Sequence, residues 1–380
     1  MTPAYPFLRR LGVMDVDVVV IGGGIAGVSC AAFLAPRTSV AVLEMETTLG
    51  YHSTGRSAAL YTECYGAEPI RRMSLASKAY FVDREPPFGT RRGVLFLAPS
   101  DDRSSLNEFY QTFSALVPDL EVLSSAEVSD LVSVIPTEMT SGGVLEPEAL
   151  DLDVHAILTS YASTVRANDG AILTASRAIA VERLEGRWRI TAGEHVITAS
   201  TLVNAAGAWG DELATIAGLD RIGLTPLKRS AFTFDPGVPV GDWPVVVEMG
   251  ETWYMKPEGP YLLGSAASEI PQEPSDARHD EIDIALGIER ITEATTMTIR
   301  SVKNQWAGLR TFTPDRIPAV GRDPEMPDFF WLVGQGGYGV HTSPAMASMA
   351  AGLILDSQVP EGVARFGVTS EMFDPARFRR

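Results

Sequence analysis

The run Val18-Val19-Val20-Ile21-Gly22-Gly23-Gly24-Ile25-Ala26-Gly27 constrains this chain more than any other stretch. Four β-branched residues predict a strand buried on both faces. Gly22, Gly24 and Gly27 then follow the G-x-G-x-x-G spacing of a turn that opens into a helix. The first glycine permits the turn, the second lets a pyrophosphate approach the backbone, and the third lets helix and strand pack closely. A helix beginning at Ile25 presents free N–H groups and its positive dipole end to phosphates. Small residues at Gly27, Ala31 and Ala32 suit tight packing, and Pro36 stops the helix after Leu34. Val40-Ala41-Val42-Leu43 predicts the second strand, with Glu44 at its end to accept hydrogen bonds from an adenosine ribose. Strand, helix, strand and acid together point to an adenine dinucleotide.

With 380 residues, 45% of them hydrophobic, the chain has material for a large core and two domains. A net charge of −17 and the lack of a basic run argue against a nucleic-acid partner. Cys30 and Cys64, the two cysteines, are too few for a disulfide framework or a four-cysteine metal centre, and Cys30 reads as a small core residue. His52, His155, His195, His279 and His341 never fall at metal-ligand spacing, so no metal site is expected. Met1 to Val13 lacks a signal peptide's apolar region and reads as a solvated tail. No run reaches the roughly 20 apolar residues that span a bilayer, so a cytoplasmic protein is expected.

Beyond Glu44 the segment from Gly50 to Gly66 crowds small and hydroxylated residues around Arg56. Its hydroxyls and guanidinium suit phosphate oxygens. Three further segments are Asn204-Ala205-Ala206-Gly207-Ala208-Trp209, Trp306-Ala307-Gly308-Leu309-Arg310 and Gln335-Gly336-Gly337-Tyr338-Gly339. Taken in order with the glycine fingerprint, they resemble the D-amino acid oxidase superfamily of FAD enzymes. Within it the chain looks most like D-arginine dehydrogenase, over nearly its whole length from about Asp15.

The resemblance implies an α/β fold: a Rossmann-like FAD-binding domain interleaved with a substrate domain on an antiparallel sheet. The expected FAD-binding parts are 14–90, 145–228 and 306–360, and the substrate parts 91–144 and 229–305. FAD, held noncovalently, would contact Gly22, Gly24, Ile25, Ala26, Gly27, Glu44 and Met45. It would also contact His52, Ser53, Thr54, Gly55, Arg56, Ser57, Ala58, Ala59 and Leu60. Val181, Ala206, Gly207, Trp209 and Gly308 complete its middle, and Gly336, Gly337, Tyr338, Gly339, Val340, His341 and Thr342 its far end. Arg310 would clamp a substrate carboxylate with a planar fork. Arg229 aligns with a second arginine, though adjacent Lys228 leaves the register open by one residue. Tyr254 and Tyr65 would touch the carboxylate and close the site, the Gly337 carbonyl would take the amine, and Thr62 and Leu60 would complete the pocket.

Two positions depart from D-arginine dehydrogenase. Leu60 stands where that enzyme has a histidine, and Gly93, between Arg91 and Arg92, where it has the carboxylate that meets the guanidinium. Both predict an apolar substrate group in place of arginine. The expected reaction is oxidation of a carboxylate-bearing amine of the D-amino acid class, with electrons passed to oxygen, a quinone or another carrier. N-substituted glycines, a 2-hydroxy acid and a non-catalytic flavoprotein are the alternatives. Elsewhere Leu106, Phe109, Tyr110 and Phe113 recur at helical spacing and read as core. Ser124 and Glu127 form a capping box, Asp153 caps a helix through Val165, and Asp280 to Thr296 is periodic for another helix.

Overall fold

The computed structural model describes residues 12–379. Its first strand, Gly12–Ile21, pairs in parallel with Val40–Leu43 on one side and His195–Asn204 on the other. That central place explains the β-branched run, because Val18 to Ile21 are all buried. Val18 and Val20 face one apolar layer, and Val19 and Ile21 face another. The strand begins at Gly12, with Gly12 and Val13 paired to His195 and Val196. The expected tail is therefore shortened by two residues, and the rest of it lies outside the described residues.

Among the described residues this sheet has eight strands. Its order runs Ala178–Leu184, Arg187–Ala192, His195–Asn204, Gly12–Ile21, Val40–Leu43, Ala171–Leu173. Phe329–Val333 lies parallel to the end of His195–Asn204, and Ala319–Arg322 pairs beyond it. The helices Ile25–Leu34, Val154–Ala167 and Ser343–Leu355 share one apolar layer. On the other face the short helix Gly210–Ile216 packs into an apolar layer shared with Val181, Trp188 and Ile190 of the sheet's own Ala178–Ala192 hairpin. Asp153 accepts from Ala156 N, and Ser124 and Glu127 form the expected capping box.

A second sheet, of nine strands among the described residues, is assembled from two separate stretches, Val94–Glu146 and Thr225–Phe312. Its strands are antiparallel except where the stretches meet, for Val245–Glu248 runs parallel to Val94–Pro99. The expected antiparallel sheet is present, with one parallel pair at that seam. Parallel neighbours need a long connection, and here the chain passes through the first sheet between them. Thr140–Glu146, Thr225–Phe234 and Val302–Phe312 run across the boundaries expected at 144, 228 and 305. The helices Arg103–Phe113, Ser125–Leu131 and Glu281–Ala294, the last capped by Asp280, pack against this sheet. No helix among the described residues is long and apolar enough to cross a membrane.

Candidate active site

A cleft of about 620 Å³ is lined by residues of both sheets. Its nucleotide end begins at Gly22, whose φ of +119° is open to glycine and whose hydrogen points at Ala205 O, where a Cβ would collide. Gly27 lies against Gly22 O and holds helix to strand, so it serves packing and does not line the cleft. Glu44 accepts from Gly23 N and Glu46 N at 2.7 Å each. Burial pushes its carboxyl up against those two N–H groups. Thr54 Oγ1 accepts from Ile25 N at 3.0 Å and so anchors the following loop to the helix N-terminus. Met45, His52, Ser57, Ala58, Ala59, Ala206, Gly207, Trp209 and Gly308 also line the cleft.

Ser53 and Arg56 line the cleft as expected. The Arg56 guanidinium also donates to Ala277 O and Ala307 O, both at 2.9 Å, and pairs with Asp276, which ties its loop to the strand Val302–Phe312. Ser53 Oγ donates to Leu309 O at 2.6 Å. Other expected cofactor contacts fall off the lining, and Gly55 packs on Gly50 O. Val181 is buried in the core, and Ser176, Arg177 and Ala178 line the cleft near Glu44 in its place. Tyr338 packs edge-on against Tyr65 and Phe312, while Thr342 caps its own turn by donating to Tyr338 O. A residue beside the cleft is easily misread as lining it, because sequence position does not say which way a side chain turns.

The polar end of the cleft is built by strand register. Arg229 pairs with Gly308 and Leu227 with Arg310, which sets the two arginines diagonally on one face. Arg229 lines the cleft while Lys228 turns away to Asp280, which resolves the one-residue ambiguity. Arg310 Nη1 lies 3.2 Å from Glu269, and its Nη2 meets the Tyr65 hydroxyl. Arg229 donates to Ser268 O and Ala267 O and lies 3.5 Å from the same Glu269. Arg316 completes the group with two contacts to Glu269, at 3.0 and 2.9 Å. Burial opposes the Arg310 charge, but Tyr65, Tyr338 and Glu269 outweigh it and hold the guanidinium above its ordinary value. Burial and then the Arg310 charge push Arg229 down. Three cations around one carboxylate leave a positive excess that suits a second carboxylate. Tyr254 lines the same end, and Gly337 leaves no room for a Cβ beside Arg310.

At the other end the lining turns apolar through Val94, Phe96, Phe109, Phe113, Val245, Val247 and Met249. Phe109 and Phe113 were expected in the core. They stand half-buried on the helix Arg103–Phe113, where Leu106 is the buried apolar residue. Phe96, Phe109 and Phe113 form a ladder with ring centroids 4.5 Å apart at both steps. The i, i+4 spacing was legible, but core and cleft wall give the same periodicity. Gly93 packs near Glu146 O, Leu145 and Pro244 and does not line the cleft, so it carries no information about the substrate. Leu60 does line it. Three carboxylates that sequence reading missed, Glu212, Glu248 and Glu251, also reach the lining. Glu248 is held by Gly250 N, Thr252 N and Thr252 Oγ1, and Glu251 is solvent-exposed.

The wall between these ends rests on buried charge. Thr62 donates to Glu146, which also accepts from Glu63 N at 2.8 Å. Burial pushes the Glu146 carboxyl up. Lys256, also missed in the sequence, donates to Ala58 O at 2.9 Å and pairs with Asp151 at 2.6 Å, fixing the loop that carries Ala58 and Ala59.

A large, partly polar cofactor fits this cleft on three observations. The backbone at Gly24 and Gly339 leaves a prospective Cβ no contact closer than 3.4 Å, and at Gly207 none within 4 Å. Gln335 Nε2 is buried without a partner on the lining. A helix N-terminus reached through glycines opens on the lining at Gly24.

Residues 17–353 match the family described as DAO, FAD dependent oxidoreductase. A glycine oxidase of Bacillus licheniformis is 26% identical, over 90% of this chain and 94% of its own length. The FAD-dependent oxidoreductase domain-containing protein 1 of Xenopus laevis is 24% identical, over 90% of this chain and 79% of its own. Among solved structures, L-proline dehydrogenase from P. horikoshii superposes with a TM-score of 0.82 at 23% identity, covering 97% of this chain and 99% of that one. Glycine oxidase from Geobacillus kaustophilus gives 0.80 at 19% identity, covering 90% and 95%.

Proposed function

Because the chain belongs to the DAO family of FAD-dependent oxidoreductases, we propose that it oxidises a carboxylate-bearing amine of the D-amino acid class with an apolar side chain. One observation carries this reading: Arg229 and Arg310, held with Arg316 around a single carboxylate, Glu269, line the same cleft as an aromatic wall. Bound FAD supplies the acceptor for the hydride that leaves the α carbon. Arg310 and Arg229 hold the carboxylate, and Tyr65 and Tyr254 close over it. The Gly337 carbonyl accepts from the amine, which fixes the α carbon and supplies rate by orientation. Phe96, Phe109 and Phe113 bury the side chain and exclude water. The resulting imine is hydrolysed by water to the oxo acid, with release of ammonia. An N-substituted glycine, placing its apolar group on nitrogen, is the second reading, supported by the glycine oxidase relatives.

Likeness to D-arginine dehydrogenase extends, in this reading, to the clamp and not to the side-chain pocket. Leu60 and the phenylalanine ladder favour apolar groups by about 0.8 kcal/mol per buried methylene. Glu251 lies in solvent, where a carboxylate offers a guanidinium little. Apolar D-amino acids or apolar N-alkyl glycines are therefore expected to reduce the flavin at least about tenfold faster than D-arginine, a difference of ~1.4 kcal/mol. The assay is anaerobic stopped-flow at matched concentrations, with both enantiomers of each amino acid. D-Arginine or D-lysine as the fastest reductant would refute the pocket assignment.

The flavin is expected to be noncovalent. Cys64 lines the cleft, but burial and then the Glu146 charge push its thiol well up, which leaves it a poor nucleophile. His52 is engaged with Glu46 at 2.9 Å. Acid precipitation should release the yellow colour into the supernatant, and colour that remains in the pellet would contradict this.

A further inference from the structure

His341 is 2% exposed, lines the cleft, and has no role in the carboxylate clamp. Its Nδ1 lies 3.4 Å from Leu60 O. A carbonyl only accepts, so the Nδ1 hydrogen is on that side and Nε2 carries the bare lone pair. That Nε2 is buried without a partner. A buried acceptor left unpaired costs free energy, so its persistence on a cleft wall points to a ligand that supplies an N–H.

The groups facing the ring come from each element packed against it. Tyr61 and Tyr338 lie with ring centroids 6.1 Å away and Tyr65 at 6.4 Å. The Tyr61 hydroxyl is spent on Glu63 and Ser74 O. Arg310 acts on the ring only through its charge. Burial, with Arg310 adding to it, lowers the imidazole to about 4 despite the Leu60 contact. The ring therefore stays neutral across the range in which an amino acid would be oxidised, and its lone pair stays available.

We propose that His341 Nε2 accepts a hydrogen bond from the amine of the substrate, as a second acceptor beside the Gly337 carbonyl. His341 and Gly337 sit four residues apart on the turn that opens the helix Ser343–Leu355, with Arg310 against Gly337. The turn thereby reads the amine while Arg310 reads the carboxylate. A neutral acceptor holds an amine without taking its proton. This role rests on the amine-oxidation reading above and adds to it a residue that distinguishes amines from other carboxylates, including 2-hydroxy acids.

The test uses two carboxylates that cannot be oxidised at the α carbon by hydride loss with imine formation: α-methylphenylalanine, and 2-methyl-3-phenylpropanoate, which lacks the amine. Each is titrated into the FAD-loaded protein, and binding is read from the flavin absorbance change. His341→Leu should weaken α-methylphenylalanine about tenfold and leave 2-methyl-3-phenylpropanoate within about twofold. His341→Gln, which restores an acceptor oxygen, should recover part of the loss. Equal weakening of both ligands, no change in either, or loss of FAD with the ligand affinities intact would each overturn the assignment. If neither compound binds the wild-type protein, the carboxylate-amine reading fails first and the His341 role falls with it. If 2-methyl-3-phenylpropanoate binds normally and the amine adds no His341-dependent affinity, that reading stands and only the His341 role fails.

Discussion

Arg310→Ala should lower kcat/KM by about 30-fold to several thousand-fold, equivalent to ~2–5 kcal/mol. The side chain is 13% exposed, so the substrate carboxylate would be desolvated beside an empty space. The loss should exceed what the missing charge alone predicts. Without Arg310, Glu269 keeps Arg316 and Arg229 as partners, and the positive excess that attracts an anion is halved. Arg310→Lys should recover only part, because an ammonium cannot serve Glu269, the Tyr65 hydroxyl and a carboxylate with one planar fork. Steady-state kinetics on the best substrate from the reduction panel measures this. An Ala variant within about threefold of wild type would remove Arg310 from the site.

Gly22→Ala should abolish flavin retention, and with it most soluble protein. Two independent penalties coincide at this residue. Its φ of +119° is strained for any L side chain, at a cost of roughly 1–3 kcal/mol. The added Cβ would also strike backbone, Ala205 O and C, which a rotamer change cannot relieve. Gly186→Ala separates the two effects, since Gly186 has φ +81° but nothing within 4 Å of a prospective Cβ. That variant should remain yellow with a modest fall in Tm. The ratio of flavin to protein absorbance and thermal unfolding of both variants provide the comparison. A Gly22→Ala protein with full flavin content and unchanged Tm would show that the turn can relax, and the close approach would lose its proposed function.

Local sequence determined the elements that local physics controls. The helix Ile25–Leu34 and the strand Val40–Leu43 begin and end where β-branching, glycine spacing and proline placed them. Ser124 and Asp153 cap the helices they were expected to cap, because a cap is a contact between residues two or three apart, while Asp280, expected within its helix, caps it instead. The nucleotide turn was legible for the same reason. What only the tertiary structure decided is where side chains from distant segments meet. Arg56 found Ala277 and Ala307, 221 and 251 residues away. Glu269 entered the arginine cluster, and Phe109 and Phe113, packed against the core on one side, also took up the cleft wall. Gly93 left the cleft, and the His341 imidazole came to rest against Leu60, 281 residues earlier in the chain. Periodicity specifies that a face is apolar but not what it packs against, and the choice between a core and a cleft is made only when two sheets close around one space.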